Sequence, residues 1–178
     1  MLKKILIAIG VLAVAVAGLL LYASITQPDA FRVQRAMTIN APADKIHAIL
    51  TDLRRGAEWS PYEKKDPAMK KSYSGPAAGP GAVMEWDGNS EIGAGKLTVA
   101  EATPSKIVIN LDMSRPMEGH NIVEYALTPQ GGATNVTWSI HGPMNTISKV
   151  MCLFMNMDNM VGKDFEQGLR DLKALAEK

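Results

Sequence analysis

The sequence predicts an α+β fold: a curved antiparallel sheet of about seven strands wrapped round a long C-terminal helix, with two short helices after the first strand and a transmembrane helix at the N-terminus. Three observations carry this expectation. The chain opens with an uninterrupted apolar run, its middle is a series of short runs alternating apolar with polar residues between turn signals, and Ile147 to Glu177 repeats apolar side chains at three- and four-residue steps.

Ile5 to Ile25 contains no charge, and at ~1.5 Å per residue a helix of that length matches a hydrocarbon layer of ~30 Å. Lys3 and Lys4 precede it, so the positive-inside rule keeps the N-terminus cytoplasmic and sends the rest of the chain to the periplasmic or extracytoplasmic side as a single-pass protein. Tyr22 falls at the outer interface. A cleaved secretory signal is the alternative, with Ala15-Val16-Ala17 as a small-x-small site. The lone Cys152 is too distant to be a lipidation site, and a single thiol suits an oxidising compartment. The expected organisation is residues 1–26 as anchor or signal and residues 27–178 as one soluble domain.

Composition agrees with one ordinary core. The 178 residues are 47% hydrophobic and 21% charged, which excludes disorder, and one cysteine excludes a disulfide scaffold. From Gln27 onward 17 basic residues face 18 acidic ones, so the domain offers a polyphosphate no field and nucleic acid is excluded as a partner.

Gln27-Pro28-Asp29 stops the first helix, and Phe31, Val33, Met37 and Ile39 then share one parity of a half-buried strand. Ala41-Pro42-Ala43-Asp44 starts a helix whose stripe is Ile46, Ile49, Leu50 and Leu53, and a second brief turn covers Arg54 to Trp59. Lys70 to Tyr73, Ala82 to Asp87, Gly95 to Ala102, Lys106 to Met113, His120 to Thr128 and Thr134 to His141 read as successive strands. They lie too close together for crossover helices, so they form a meander. One face carries Ile107, Ile109, Val123, Tyr125, Val136 and Trp138, and the other carries Asn110, Asp112, Glu124 and Ser139. The terminal stripe of Val150, Phe154, Met157, Val161, Phe165, Leu169 and Leu172 predicts one long amphipathic helix.

With these elements placed, the Ala-Pro helix start, Trp59-Ser60-Pro61, the Gly-bounded strand ending in Trp86 and the Gly-Ala-Thr-x-Val-x-Trp strand become informative together. Over Phe31 to Lys178 the chain resembles the polyketide cyclase/dehydrase branch of the START-related (SRPBCC, helix-grip) superfamily. The resemblance implies a helix-grip fold with a hydrophobic ligand pocket. It does not imply a reaction, because fold does not fix function.

The expected ligand wall is Trp59, Tyr62, Met84, Trp86, Val99, Ile109, Met113, Tyr125 and Trp138 with Met151, Phe154 and Met155 of the terminal helix, aromatics and adaptable thioethers that also serve as ordinary core. The partner is then a hydrophobic small molecule or lipid, reached from the membrane. A polyketide cyclase or dehydratase is the alternative, in which Glu101 or His120 takes a proton and Tyr125 or Tyr62 donates one. Glu101 is the first carboxylate to test because it shares parity with Leu97 and Val99. His120 and His141 stand at strand ends where they can meet. A structural envelope protein with no ligand is the third reading. No metal is expected, since His47, His120 and His141 lack the close pairs that zinc requires, and no cofactor fingerprint or nucleophile elbow occurs. Lys64, Lys65, Lys70 and Lys71 near Trp59 and Tyr62 read as a solvated loop or a headgroup contact.

Overall fold

A computed structural model describes residues 1–178. The chain forms two compact units, one of residues 1–31 and 143–157, the other of residues 32–142 and 158–178.

The first unit holds α1 (Leu2–Thr26) and α5 (Thr146–Phe154). The apolar run makes α1 a single helix, long and apolar enough to cross a membrane, with its side chains almost wholly exposed. Asn145 caps α5, its side-chain oxygen accepting the Ser148 N–H at 2.8 Å.

The second unit is built on a seven-stranded sheet in the order β1-β7-β6-β5-β4-β3-β2. Its strands are β1 (Ala30–Ile39), β2 (Lys70–Ser74), β3 (Val83–Asp87), β4 (Ala94–Thr103), β5 (Lys106–Arg115), β6 (Gly119–Gln130) and β7 (Ala133–Pro143). From β2 to β7 each strand pairs antiparallel with the next, as the meander predicts, and the first strand closes against the last. The hairpin from β6 to β7 turns through Gly131 and Gly132, whose φ values of 57° and 95° give the mirror-image turn that only such residues enter freely.

Between β1 and β2 the two predicted helices become more pieces: α2 (Ala43–Thr51), a 3₁₀ turn (Leu53–Arg55), α3 (Gly56–Trp59) and α4 (Pro61–Lys65). Asp52 ends α2 and caps the 3₁₀ turn by accepting the Arg54 N–H at 3.0 Å, and Pro61 starts α4 at its first position. The expected single terminal helix is two, α5 and α6 (Met157–Ala176). Met155 is extended at φ −127° and ψ 131°, and Asn156-Met157-Asp158 supplies a residue suited to capping and an acid for the new first turn.

The core lies between the sheet and α6. Phe165, Leu169, Leu172 and Ala176, at the spacing of one helix face, meet Ile107, Tyr125, Leu127, Val136 and Trp138. Ile46, Ile49 and Leu50 of α2 bury their side of the same core. Two glycines of α6 admit close neighbours. A Cβ at Gly168 would stand 2.6 Å from the Trp138 ring and 2.9 Å from Pro61, and a Cβ at Gly162 would fall on the Arg35 guanidinium. Arg35 of β1 donates to Asp158 at 2.9 Å and to Glu166 at 2.8 Å, one turn of α6 on either side of Gly162. Those hydrogen bonds raise the Arg35 pKa and lower that of Asp158.

Candidate site on the inner face of the sheet

The register arranges the inner side chains in rows across the strands. Ile107, Tyr125 and Trp138 form one row, Val99, Ile109, Val123 and Ile140 the next, Met84, Leu97 and Leu111 a third, and Trp86, Gly95 and Met113 a fourth. The first row is sealed. Trp138 stacks on Phe165 with centroids 4.0 Å apart, and Trp59 stands edge-on to both Trp138 at 5.4 Å and Tyr125 at 6.2 Å. Along the later rows the cover thins, so that Leu97, Leu111 and Met113 are half-buried although they face inward. The inner face is therefore aromatic and closed at one end, aliphatic and open at the other. Trp86 reaches the open end because its ring lies over Gly95, where a Cβ would meet the indole at 2.6 Å.

This surface is apolar except for a few polar atoms, most of them unpaired. The indole N–H groups of Trp59, Trp86 and Trp138 are buried without a hydrogen-bond partner, and so is one carboxylate oxygen of Glu63. Native interiors leave few such groups, since each costs about 1–3 kcal/mol unpaired. The other Glu63 oxygen accepts from Lys71, the cross-strand neighbour of Trp86. Burial raises the Tyr62 phenol pKa, and burial raises that of Tyr125 well above its ordinary 10.0. Both hydroxyls are thus proton donors and not bases at neutral pH.

The second unit brings together Trp59, Tyr62, Met84, Trp86, Val99, Ile109, Met113, Tyr125 and Trp138, all in or against one core cluster. Met151, Phe154 and Met155 belong to the first unit and are exposed there. Of the acid–base candidates the two donors, Tyr125 and Tyr62, belong to this cluster, and the two bases do not. A β-bulge separates Val99 from Glu101: Val99 pairs with the inward Ile109, but Glu101 pairs with Val108, so the extra residue Ala100 turns the carboxylate to the exposed outer face. His120 is also exposed on the outer face, hydrogen-bonded to Asp112 at 2.7 Å. His141 shares that face, and its near neighbour is Glu124 at 3.9 Å, not His120.

Three of the four lysines near Trp59 are paired. Lys64 bonds Asp171 at 2.8 Å, Lys65 bonds Asp164 at 2.9 Å, and Lys71 bonds Glu63. Lys71, read from the sequence as solvated loop or headgroup contact, instead pairs with Glu63, the site residue that sequence reasoning missed; the available signal was the Ser60-Pro61 helix start, which sets Glu63 in the first turn of α4.

A groove of about 560 Å³ along β2 to β5 shares Lys71, Trp86, Gly95 and Met113 with the open end of this face, but most of its lining is outward residues such as Ser72, Glu85, Asp87, Lys96 and Asp112. Lys96 pairs there with Asp112 at 3.6 Å, Asp87 pairs with Arg115, and this charged outward lining makes a poor seat for an apolar guest. No three His, Cys, Asp or Glu side chains converge as a metal site.

Comparison with known proteins agrees with this geometry. The family model described as polyketide cyclase/dehydrase and lipid transport matches residues 30–177. A protein of Chromobacterium violaceum is similar in structure at a TM-score of 0.58 and 18% identity, over 85% of this chain and 99% of its own. The major latex-like protein 151 of Panax ginseng gives a TM-score of 0.57 at 13% identity, over 85% of this chain and all (100%) of its own. DynU16, from the dynemicin biosynthetic locus, gives 0.57 at 18% identity, over 85% of this chain and 48% of its own. At these identities the structural likeness carries the helix-grip fold alone. No curated protein matches the chain.

Proposed function

The chain belongs to the polyketide cyclase/dehydrase and lipid transport family, and from that premise we propose that it is a membrane-tethered START-like domain that holds a hydrophobic small molecule or lipid against the inner face of its sheet. Residues 1–26 anchor it, with the N-terminus cytoplasmic, and residues 27–178 work on the extracytoplasmic side. The observation that carries this reading is the set of buried, unpartnered indole N–H groups of Trp59, Trp86 and Trp138 on an apolar face with an open end. A guest with an apolar body and one or two oxygen acceptors suits it, the body gaining ~25 cal/mol per Å² buried and the oxygens pairing with indole donors. Tethering keeps the site beside the bilayer in which such guests dissolve.

The chain has 3 Trp, all on this surface, so indole emission reports on it directly. Titrating the purified domain with a bromine-labelled fatty acid should quench that emission saturably at one equivalent. No quenching up to the solubility limit of the acid would refute the reading.

One observation favours a cyclase or dehydratase as the second reading: the unpaired, buried oxygen of Glu63. A carboxylate held there by Lys71 is suited to accept a proton from a carbon beside a carbonyl, with Tyr125 donating. Glu63→Gln should then abolish turnover of a model polyketide while leaving quenching by the fatty acid intact, and undiminished turnover would remove Glu63 from the role.

A further inference from the structure

Within the first unit α5 lies against the C-terminal half of α1. Ala23 is the one fully buried residue of α1, and Leu19 and Leu20, at 36% and 39%, are less exposed than Leu21 and Tyr22 beside them, at 63% and 59%. Beyond α1 the Asp29 carboxylate accepts from Lys149 of α5 at 2.6 Å, and the Asp29 carbonyl accepts from the Met144 N–H at 2.8 Å. The two helices are thereby fastened at the point where α1 ends.

The opposite side of α5 is apolar and bare. Ile147, Met151 and Phe154 follow at the i, i+4, i+7 spacing of one stripe and are 60%, 41% and 75% exposed. Lys149 points the other way and is only 8% exposed, so the helix has turned its charge inward and its large apolar side chains outward. A water-facing helix does the reverse. Leu21, Tyr22 and Ile25 of α1 are similarly exposed, so apolar surface is present on both helices of the unit.

We propose that α5 is a membrane-surface helix whose Ile147–Met151–Phe154 stripe sits among lipid where α1 leaves the bilayer. The proposal rests on reading α1 as an anchor. The bilayer is the chosen occupant because the layer that receives α1 already adjoins the helix packed on it. Interfacial helices sink their apolar face roughly 5–10 Å below the headgroups, a depth that large aliphatic and aromatic side chains span. The Asn145 cap forms the helix beforehand, so little ordering is left for the membrane to impose.

Cys152 is the only cysteine, so a Cys152→Ser background accepts one spin label at a chosen place. The full-length chain in phosphatidylcholine/phosphatidylglycerol vesicles would be labelled in turn at Phe154→Cys, at Leu12→Cys within α1, and at the exposed Glu118→Cys. The readout is the ratio of collisions with lipid-soluble oxygen to collisions with a water-soluble nickel chelate. The label at 154 should show a ratio several-fold above that at 118 and close to that at 12, and Ile147→Cys should repeat the result. A ratio at 154 equal to that at 118, with the label at 12 in lipid, overturns the α5 assignment and leaves the anchor standing. A label at 12 that behaves like 118 overturns both. Spectral broadening at 154 that unlabelled protein relieves would identify a second copy as the occupant and also overturn the proposal.

Discussion

The Trp138 indole lies parallel to the Phe165 ring, 4.0 Å between centroids and 9° between planes, and its far edge closes over Gly168 one turn along the same helix. The distance between sheet and α6 is therefore set by an aromatic ring bearing on a residue with no side chain.

Gly168→Ala tests that relationship by the sign of its effect. On helix propensity alone alanine should stabilise by about 1 kcal/mol. Here its Cβ would meet Trp138 at 2.6 Å and the Pro61 ring at 2.9 Å, neither of which can move freely. The expected outcome is a net loss of about 1–3 kcal/mol in urea denaturation.

Gly162→Ala is the companion experiment and should differ. Its Cβ would meet the end of Arg35, a flexible side chain able to shift while staying near Asp158 and Glu166. Stability should stay within about 1 kcal/mol of the parent, the helix gain offsetting the disturbed ion pairs.

Replacing Trp59 or Trp138 with Phe keeps most of the apolar volume and removes a buried donor that has no partner. The unliganded domain should lose less stability than ring truncation implies. Affinity for an oxygen-bearing apolar ligand should fall by about 1–2 kcal/mol, roughly 5- to 30-fold. Thermal denaturation and the quenching titration measure the two effects separately, and equal losses in both would assign these indoles to packing alone.

Two pH effects of opposite sign are expected. The Asp158 carboxyl is held below its ordinary 3.8 by the hydrogen bond from Arg35. Its contribution to stability is complete above that value and is lost as pH falls through the lower folded pKa, and Arg35→Gln should remove this acid dependence. Tyr62 and Tyr125 have raised phenol pKa values through burial, so their contribution is complete below 10.0 and is lost as pH rises toward the folded values. Spectrophotometric titration should leave both phenols neutral until the domain unfolds.

What the sequence reveals of this site depends on how local each signal is. Ile107, Ile109, Val123, Tyr125, Val136 and Trp138 are legible because strand alternation alone puts them on one face. Glu101 is misread because alternation assumes an unbroken pleat, and the bulge at Ala100 reverses the face within β4. The break between α5 and α6 is hidden because Phe154 and Met157 keep the helical spacing across it. Glu63 is invisible to local reasoning, because its partner Lys71 stands on the following strand and its burial is a tertiary property. The apolar stripe of α5 is legible as a stripe, but spacing cannot say what faces it.

The edge position of β1 has a consequence for how the molecule is made. Its one strand neighbour is β7, and Arg35 finds both its acids on α6. As the polypeptide is synthesised at about 5–20 residues per second, β1 has nothing to pair with until nearly the whole message has been read. The nascent chain must therefore carry an unpaired strand, apolar at Val33 and Ile39, out of the ribosome long before its neighbour exists.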